Sequence, residues 1–263
     1  MSSRRIGKSG CRSSVEIIAH RGASYDAPEN TLAAIHLAWE QNADAVEIDV
    51  QFSRDGEIVV IHDDNTYKTG GLKKKVCAQT LAELCALDVG AWKGKKWTDE
   101  RIPTLDQVLE AVPDGKRVFI EIKCGPECVG EFQETIRRSA TKPTQIAVIG
   151  YDLPTMMLCK SKLPELEVCW IAVFKRNWKT GRWTPKVEDF IRQAKAAGLD
   201  GLDFGVKGPL TAKLIQQVKV AGLKTYVWTV DSAAKARELA KAGIDGITTN
   251  RPAWLRDQLR RTA

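Results

Sequence analysis

Two of the chain's three histidines close short apolar runs, Ile17-Ile18-Ala19-His20 and Val59-Val60-Ile61-His62. An imidazole at a strand end is suited to proton transfer near neutral pH. The third, His36, falls inside a helical phrase, Thr31–Gln41, and reads as structural. Glu47 and Asp49 stand two apart among Val46, Ile48 and Val50, so period-two alternation turns both acids to one side and the apolar residues to the other. Glu121 and Lys123 repeat that spacing in Val118-Phe119-Ile120-Glu121-Ile122-Lys123. Carboxylates sharing a buried face repel one another unless a cation compensates. Three of them with water make a hard, all-oxygen set that favours one divalent cation, Mg²⁺ or Ca²⁺, over zinc. The alternative is a metal-free network neutralised by Lys123 and Arg21. Arg21-Gly22 follows His20 directly; the guanidinium fork matches phosphate, and glycine permits a close backbone approach to a ligand. Acid–base groups, a cation site and an anion clamp together imply phosphoryl chemistry.

Such groups must be positioned by something. Nine β-branched or apolar runs alternate with amphipathic segments: 16–20, 45–50, 57–62, 117–123, 145–151, 167–174, 201–204, 224–230 and 246–250. The intervening stretches carry apolar residues at three and four spacing, as in Leu32-Ile35-Trp39 and Leu214-Val218-Ala221, and several end at glycine (Gly198, Gly222, Gly243). Sustained alternation of this kind predicts a parallel sheet with βαβ crossovers. Only six residues separate Val50 from Glu57, too few for a parallel crossover, and Arg54-Asp55-Gly56 is a turn signal. The third run therefore folds back as a hairpin arm, bringing His62 toward Asp49. Eight parallel strands remain, and a (β/α)₈ barrel closes. In such barrels, side chains at the C-terminal strand ends converge on the active site.

The segment 65–103 breaks the alternation and reads as an insertion over the catalytic face within a single barrel domain spanning 15–263. From Thr66 to Pro103 it holds eight Lys or Arg against four Asp or Glu, +4 of the chain's net +7. Such an excess suits a phosphate-bearing substrate or an anionic surface, or is simply solvated. No nucleic-acid-binding module accompanies it. Residues 1–14 are polar and basic without an apolar signal core, which predicts a disordered leader on a cytoplasmic protein. No apolar run is long enough for stable membrane insertion. Seven scattered cysteines read as reduced thiols, and the pair Cys124 and Cys128 lacks a second pair for zinc. Oligomeric state is not legible. The basic–aromatic loop 175–183 reads as locally packed, with a choline cradle or lipid docking as alternatives.

An ordered set of phrases resembles the glycerophosphodiester phosphodiesterases: His20-Arg21-Gly22, Pro28-Glu29-Asn30-Thr31, Glu47-Ile48-Asp49-Val50, Asp55-Gly56 with His62-Asp63, Thr80-Leu81-Ala82-Glu83-Leu84, Ile102-Pro103-Thr104-Leu105, Glu121-Ile122-Lys123 and Val227-Trp228-Thr229-Val230. The resemblance implies His20 and His62 as an acid–base pair and Glu47, Asp49 and Glu121 as metal ligands. It also implies Arg21 and Lys123 on the substrate phosphate, with Glu29, Asn30 and Trp228 around the substrate pocket. The expected reaction is hydrolysis of a small glycerophosphodiester to sn-glycerol 3-phosphate and an alcohol. That family is similar to phosphatidylinositol-specific phospholipases C, which implies attack by the glycerol 2-hydroxyl and a cyclic phosphate. Two rivals stand beside it: phospholipase D-type cleavage of lysophospholipids, with Trp92, Trp97, Trp178 and Trp183 as lining, and a barrel that only binds a phosphate ligand. One departure is Asn250, where many members carry aspartate before Arg-Pro.

Overall fold

The computed structural model describes residues 15–261, so the expected leader at 1–14 lies outside the described residues. Strands occur in chain order as β1 (Glu16–His20), β2 (Ala45–Phe52), β3 (Ile58–Val60), β4 (Arg117–Ile122), β5 (Ile146–Gly150), β6 (Glu167–Ala172), β7 (Lys175–Arg176), β8 (Trp183–Thr184), β9 (Gly201–Gly205), β10 (Lys224–Trp228) and β11 (Gly246–Thr249). Eight of them pair in parallel in the order β1-β2-β4-β5-β6-β9-β10-β11, and β11 pairs back to β1. The closed (β/α)₈ barrel is the one the strand–helix alternation predicts.

β3 runs antiparallel to β2, with Val50 opposite Val60 and Phe52 opposite Ile58. The hairpin arm is shorter than its apolar run: it ends at Val60, and His62 sits in the loop beyond. Gln51 holds that loop by donating its side-chain amide to the carbonyls of His62 (2.9 Å) and Asp63 (2.5 Å). β7 and β8 form a small hairpin after β6. There the locally packed loop is only half right, because Trp183 packs on the core while Trp178 at the tip is 86% exposed.

Alternation along the strands sorts side chains into two cores. Outward residues, among them Val46, Ile48, Val50, Val118 and Ile120, meet the apolar stripes of the surrounding helices, such as Leu214, Ile215 and Val218. Inward residues Ile18, Ala45, Phe119, Ala147, Cys169 and Tyr226 fill the barrel's middle. Phe119 and Tyr226 pack edge to face at 5.0 Å. The barrel is therefore plugged, and chemistry is confined to its mouths. Helices Val187–Ala196, Ala212–Val220 and Ala233–Lys241 stop before Gly198, Gly222 and Gly243, whose φ values of 68°, 82° and 84° let the chain turn off.

The segment 65–103 holds short helices at Tyr67–Gly70 and Leu81–Cys85. Its apolar residues Val76, Leu84, Val89 and Ile102 cluster on Val59 of the hairpin arm and on Ile61 just beyond it. Lys68 pairs with Glu29 and Lys93 donates to the Ser24 carbonyl, so the segment leans on the loop after β1. Among the described residues no helix is long and apolar enough to cross a membrane. The six cysteines described are free thiols.

Candidate active site

At the C-terminal mouth, β2 supplies Glu47 and Asp49, and β4 supplies Glu121, which lies opposite Asp49 in the parallel register. One oxygen from each of the three carboxylates lies within 4.8 Å of the others. Glu47 and Asp49 are 4% and 0% exposed. Burial, then repulsion from Asp49 and Glu121, pushes the Glu47 carboxyl well above its ordinary range. Burial and Asp49 push Glu121 up to about 7. Asp49 is also opposed by burial, but Arg21 and Lys123, with donation from Asn30 Nδ2 at 2.9 Å, outweigh it and hold the carboxyl low.

This cluster suits a divalent cation. Ligand bonds of roughly 2.0–2.6 Å place two oxygens on one ion up to about 5 Å apart. Asp49 Oδ1 is buried without a well-directed hydrogen bond, although Lys123 Nζ lies 3.2 Å away. Three carboxylates against two cations leave one negative charge uncompensated. Neutralisation by Arg21 and Lys123 is thus present but incomplete, and the raised Glu47 and Glu121 record the shortfall.

Arg21 and Lys123 are both spoken for by acids. Arg21 Nε lies 3.1 Å from Asp49 and Nη1 donates to Glu29 at 2.9 Å. Lys123 donates to Glu121 at 2.7 Å. Arg21 has a left-handed φ of 56°, and its backbone N–H donates to Glu47 Oε2 at 3.0 Å. Gly22 has a packing role that the sequence did not suggest. A Cβ there would lie 2.5 Å from the Ala34 carbonyl carbon, so glycine serves the packing of the helix Leu32–Glu40 against this turn. Glu29 bridges Arg21 and Lys68, and Asn30 clamps Asp49 from both sides, accepting from its N–H at 3.2 Å. Both line a small cavity beside His62. His36 is exposed on its helix.

The histidines enter from different elements with different partners. His20 ends β1, and its Nδ1 lies 2.7 Å from Asn250 Oδ1. The amide's orientation follows from its other contact. Asn250 Nδ2 donates to Asp231 Oδ2 at 2.6 Å, and a carboxylate can only accept, so Oδ1 faces His20. His20 Nδ1 then carries the proton and Nε2 the lone pair, 4.0 Å from Glu47. Burial, with the Arg21 charge, pulls this imidazole down to about 4. His62 Nδ1 instead meets the Asp63 carboxylate at 2.6 Å.

Glu47, Glu121 and both histidines border one cleft, which Tyr151, Asp203 and Trp228 also line. Sequence reasoning missed Asn250 as a histidine partner, and with it Asp231, Asp63 and Asp203. Asp203 had a signal: it is an acid at the inward position between the outward Leu202 and Phe204.

Proton donors and acceptors beside a compensable cluster of carboxylates, at the end of a barrel where βα loops converge, define a phosphodiester-cleaving (β/α)₈ enzyme. The glycerophosphoryl diester phosphodiesterase family matches residues 20–254, and the chain belongs to that family. A glycerophosphodiester phosphodiesterase of Caldanaerobacter subterraneus is 32% identical over 249 residues, covering 93% of this chain and 98% of its own length. The YhdW protein of Bacillus subtilis is 34% identical over 247 residues, covering 91% and 96%. Among solved structures, an Oleispira antarctica phosphodiesterase in complex with the product sn-glycerol-3-phosphate superposes with a TM-score of 0.83 at 26% identity, covering 94% of this chain and 97% of its own.

Proposed function

We propose that the chain hydrolyses glycerophosphodiesters to sn-glycerol 3-phosphate and an alcohol, using His20 and His62 for proton transfer and Glu47, Asp49 and Glu121 to hold one divalent cation, Mg²⁺ or Ca²⁺. The observation that carries this reading is the meeting of two differently partnered histidines with a charge-deficient carboxylate cluster around one cleft. Family membership and the product complex of the Oleispira relative support the substrate class.

His20 presents a lone pair at Nε2 because Asn250 accepts from Nδ1, and it serves as the base. It takes the proton of the glycerol 2-hydroxyl as that oxygen bonds to phosphorus. The bond from phosphorus to the leaving alcohol breaks, and His62, held through Nδ1 by Asp63, protonates the departing oxygen. Water then opens the cyclic phosphate with the roles reversed: His62 takes a proton from water, and His20 returns one to the 2-oxygen. Arg21 and Lys123 use some donors on the acids and offer the remainder to phosphoryl oxygens. A bound divalent cation would supply charge stabilisation at those oxygens and help acidify the attacking hydroxyl.

Lysophospholipase D-type cleavage has less support. It requires an apolar channel, whereas Trp92 and Trp178 are 44% and 86% exposed. The test is turnover of glycerophosphocholine with Mg²⁺ or Ca²⁺ and after chelation, with ³¹P NMR following the cyclic phosphate. Chelation is expected to abolish turnover. Undiminished activity would sink the metal role, and binding without turnover would favour a phosphate-binding barrel.

A further inference from the structure

Five large aromatic side chains are exposed among the described residues: Tyr25, Tyr67, Trp92, Tyr151 and Trp178. All five lie on the catalytic side of the barrel, in the loops after β1, β5 and β6 or in the insertion that leans on the first of these. None borders the N-terminal mouth. Trp178 is the most exposed, at the tip of the β7–β8 hairpin. The turn that carries it is held at both ends. Asn177 Oδ1 accepts from the N–H groups of Lys179 (2.9 Å) and Thr180 (3.0 Å), and the Asn177 N–H donates to the Arg182 carbonyl at 2.8 Å. Trp183, at the base, packs on the core. Lys175, Arg176, Lys179 and Arg182 are exposed along the same hairpin, and no Asp or Glu occurs between Val173 and Val187. Among the described residues none of these four pairs with an acid. Arg176 and Lys179 instead stand over the rings of Trp183 (5.9 Å) and Trp178 (5.2 Å).

A turn ordered by its own hydrogen bonds, yet presenting a bare indole beside unpaired cations, has the chemistry of an interfacial anchor. An indole settles at the headgroup level of a bilayer, and cations are drawn to an anionic surface. We propose that the β7–β8 hairpin docks the catalytic mouth reversibly on an anionic phospholipid bilayer. Trp178 enters the headgroup layer, while Lys175, Lys179 and Arg182 meet lipid phosphates. An apolar anchor alone holds a protein at a membrane only marginally; an anchor with a basic patch holds it firmly. The insertion adds to the attraction on the same side, where Lys73, Lys75 and Lys95 are exposed. A single-stranded nucleic acid also combines stacking with charge. The lipid surface fits better, because Leu72 and Val173 are exposed on this side too. Aliphatic side chains gain from burial in an acyl layer, not from bases or phosphates. The hairpin contributes no residue to the cleft, so docking stands apart from the hydrolytic reading.

The experiment is co-sedimentation of the full chain with vesicles, in the presence of a chelator so that no divalent ion bridges carboxylates to lipid. Vesicles of phosphatidylcholine with roughly 30 mol% phosphatidylglycerol are compared with phosphatidylcholine alone, and binding to the anionic set is expected to be stronger by about tenfold or more. Raising NaCl from about 0.1 to about 0.5 M should lower that binding by about tenfold. Trp178→Ala should weaken it by about tenfold. The triple variant Lys175→Gln, Lys179→Gln, Arg182→Gln should weaken it further, by about fivefold per charge removed. All four side chains are exposed, so thermal unfolding of both variants should match the wild type. Quenching of tryptophan fluorescence by brominated acyl chains should fall in Trp178→Phe. No binding to the anionic vesicles overturns the anchor, and so does binding that survives both variants because the basic residues of 1–14 carry it. Binding of a single-stranded oligonucleotide that the vesicles cannot displace would assign the face to nucleic acid and overturn it equally.

Discussion

At the N-terminal mouth of the barrel, Arg117 donates to Glu16 (2.9 Å) and to Glu167 (2.8 Å), while Lys224 and the Tyr226 hydroxyl also bind Glu167. Two acids meet two bases. Burial opposes ionisation of Glu167, yet Arg117, Lys224 and Tyr226 outweigh it and hold the carboxyl low, whereas burial wins at Glu16 and raises it despite Arg117. At the C-terminal mouth the same barrel gathers three carboxylates around two cations, and burial drives Glu47 and Glu121 upward. The strands and their alternation are shared; only the charge balance differs. A paired network leaves no charge for a ligand to supply, and removing one partner would strand a buried charge. An unpaired one keeps free energy in reserve for a ligand that supplies the missing charge. Position alone does not make a mouth an active site. The deficit does.

The sharpest way to break this contrast is at the histidines. His20→Ala and His62→Ala are each expected to lower kcat/KM by about 10²–10⁴-fold, with unchanged far-ultraviolet circular dichroism; full activity in either variant would remove it from the mechanism. At the opposite mouth, Arg117→Ala should invert the pattern. It leaves Glu16 and Glu167 facing each other and should cost about 3 kcal/mol of stability by urea unfolding, while kcat/KM stays within threefold. A large loss of activity without loss of stability would mean the two mouths are coupled.

The smallest expected effect concerns pH in the metal-free protein. Glu121 titrates at about 7 when folded and near the ordinary 4.5 when unfolded, so its contribution is present below 4.5 and lost as pH rises through 7. His20, at about 4 against an ordinary 6.5, acts in the opposite sense but only below 6.5. Between pH 6.5 and 8 the melting temperature should therefore fall, by about 2–4 °C. Added Ca²⁺ or Mg²⁺ should reverse the fall, and Glu121→Gln should flatten it. A rise over that interval would contradict the charge deficit.

Local chemistry made much of this legible. Period-two spacing placed Glu47, Asp49 and Glu121 inside the barrel, and a six-residue gap across Asp55-Gly56 was too short for anything but a hairpin. The extent of β3 was less legible, because apolar character continues to Ile61 while the ladder stops at Val60. Gln51 holds the rest by side-chain bonds that no periodicity announces. The packing role of Gly22 was hidden for a similar reason, since its neighbour Ala34 comes into contact only when a helix folds back on the turn.

The sequence by itself determined the barrel, the inward face of each acid and the place of His20 at a strand end, because these follow from alternation and turn chemistry over a few residues. Tertiary structure alone decided the partners. Asn250 reaches His20 across 230 residues, oriented in turn by Asp231. Asp203, with Oδ1 buried and unpaired, lies in register between Ile171 and Tyr226. Which charges are satisfied and which wait for a ligand depends on distances between side chains far apart in the chain, and burial sets how much each distance matters.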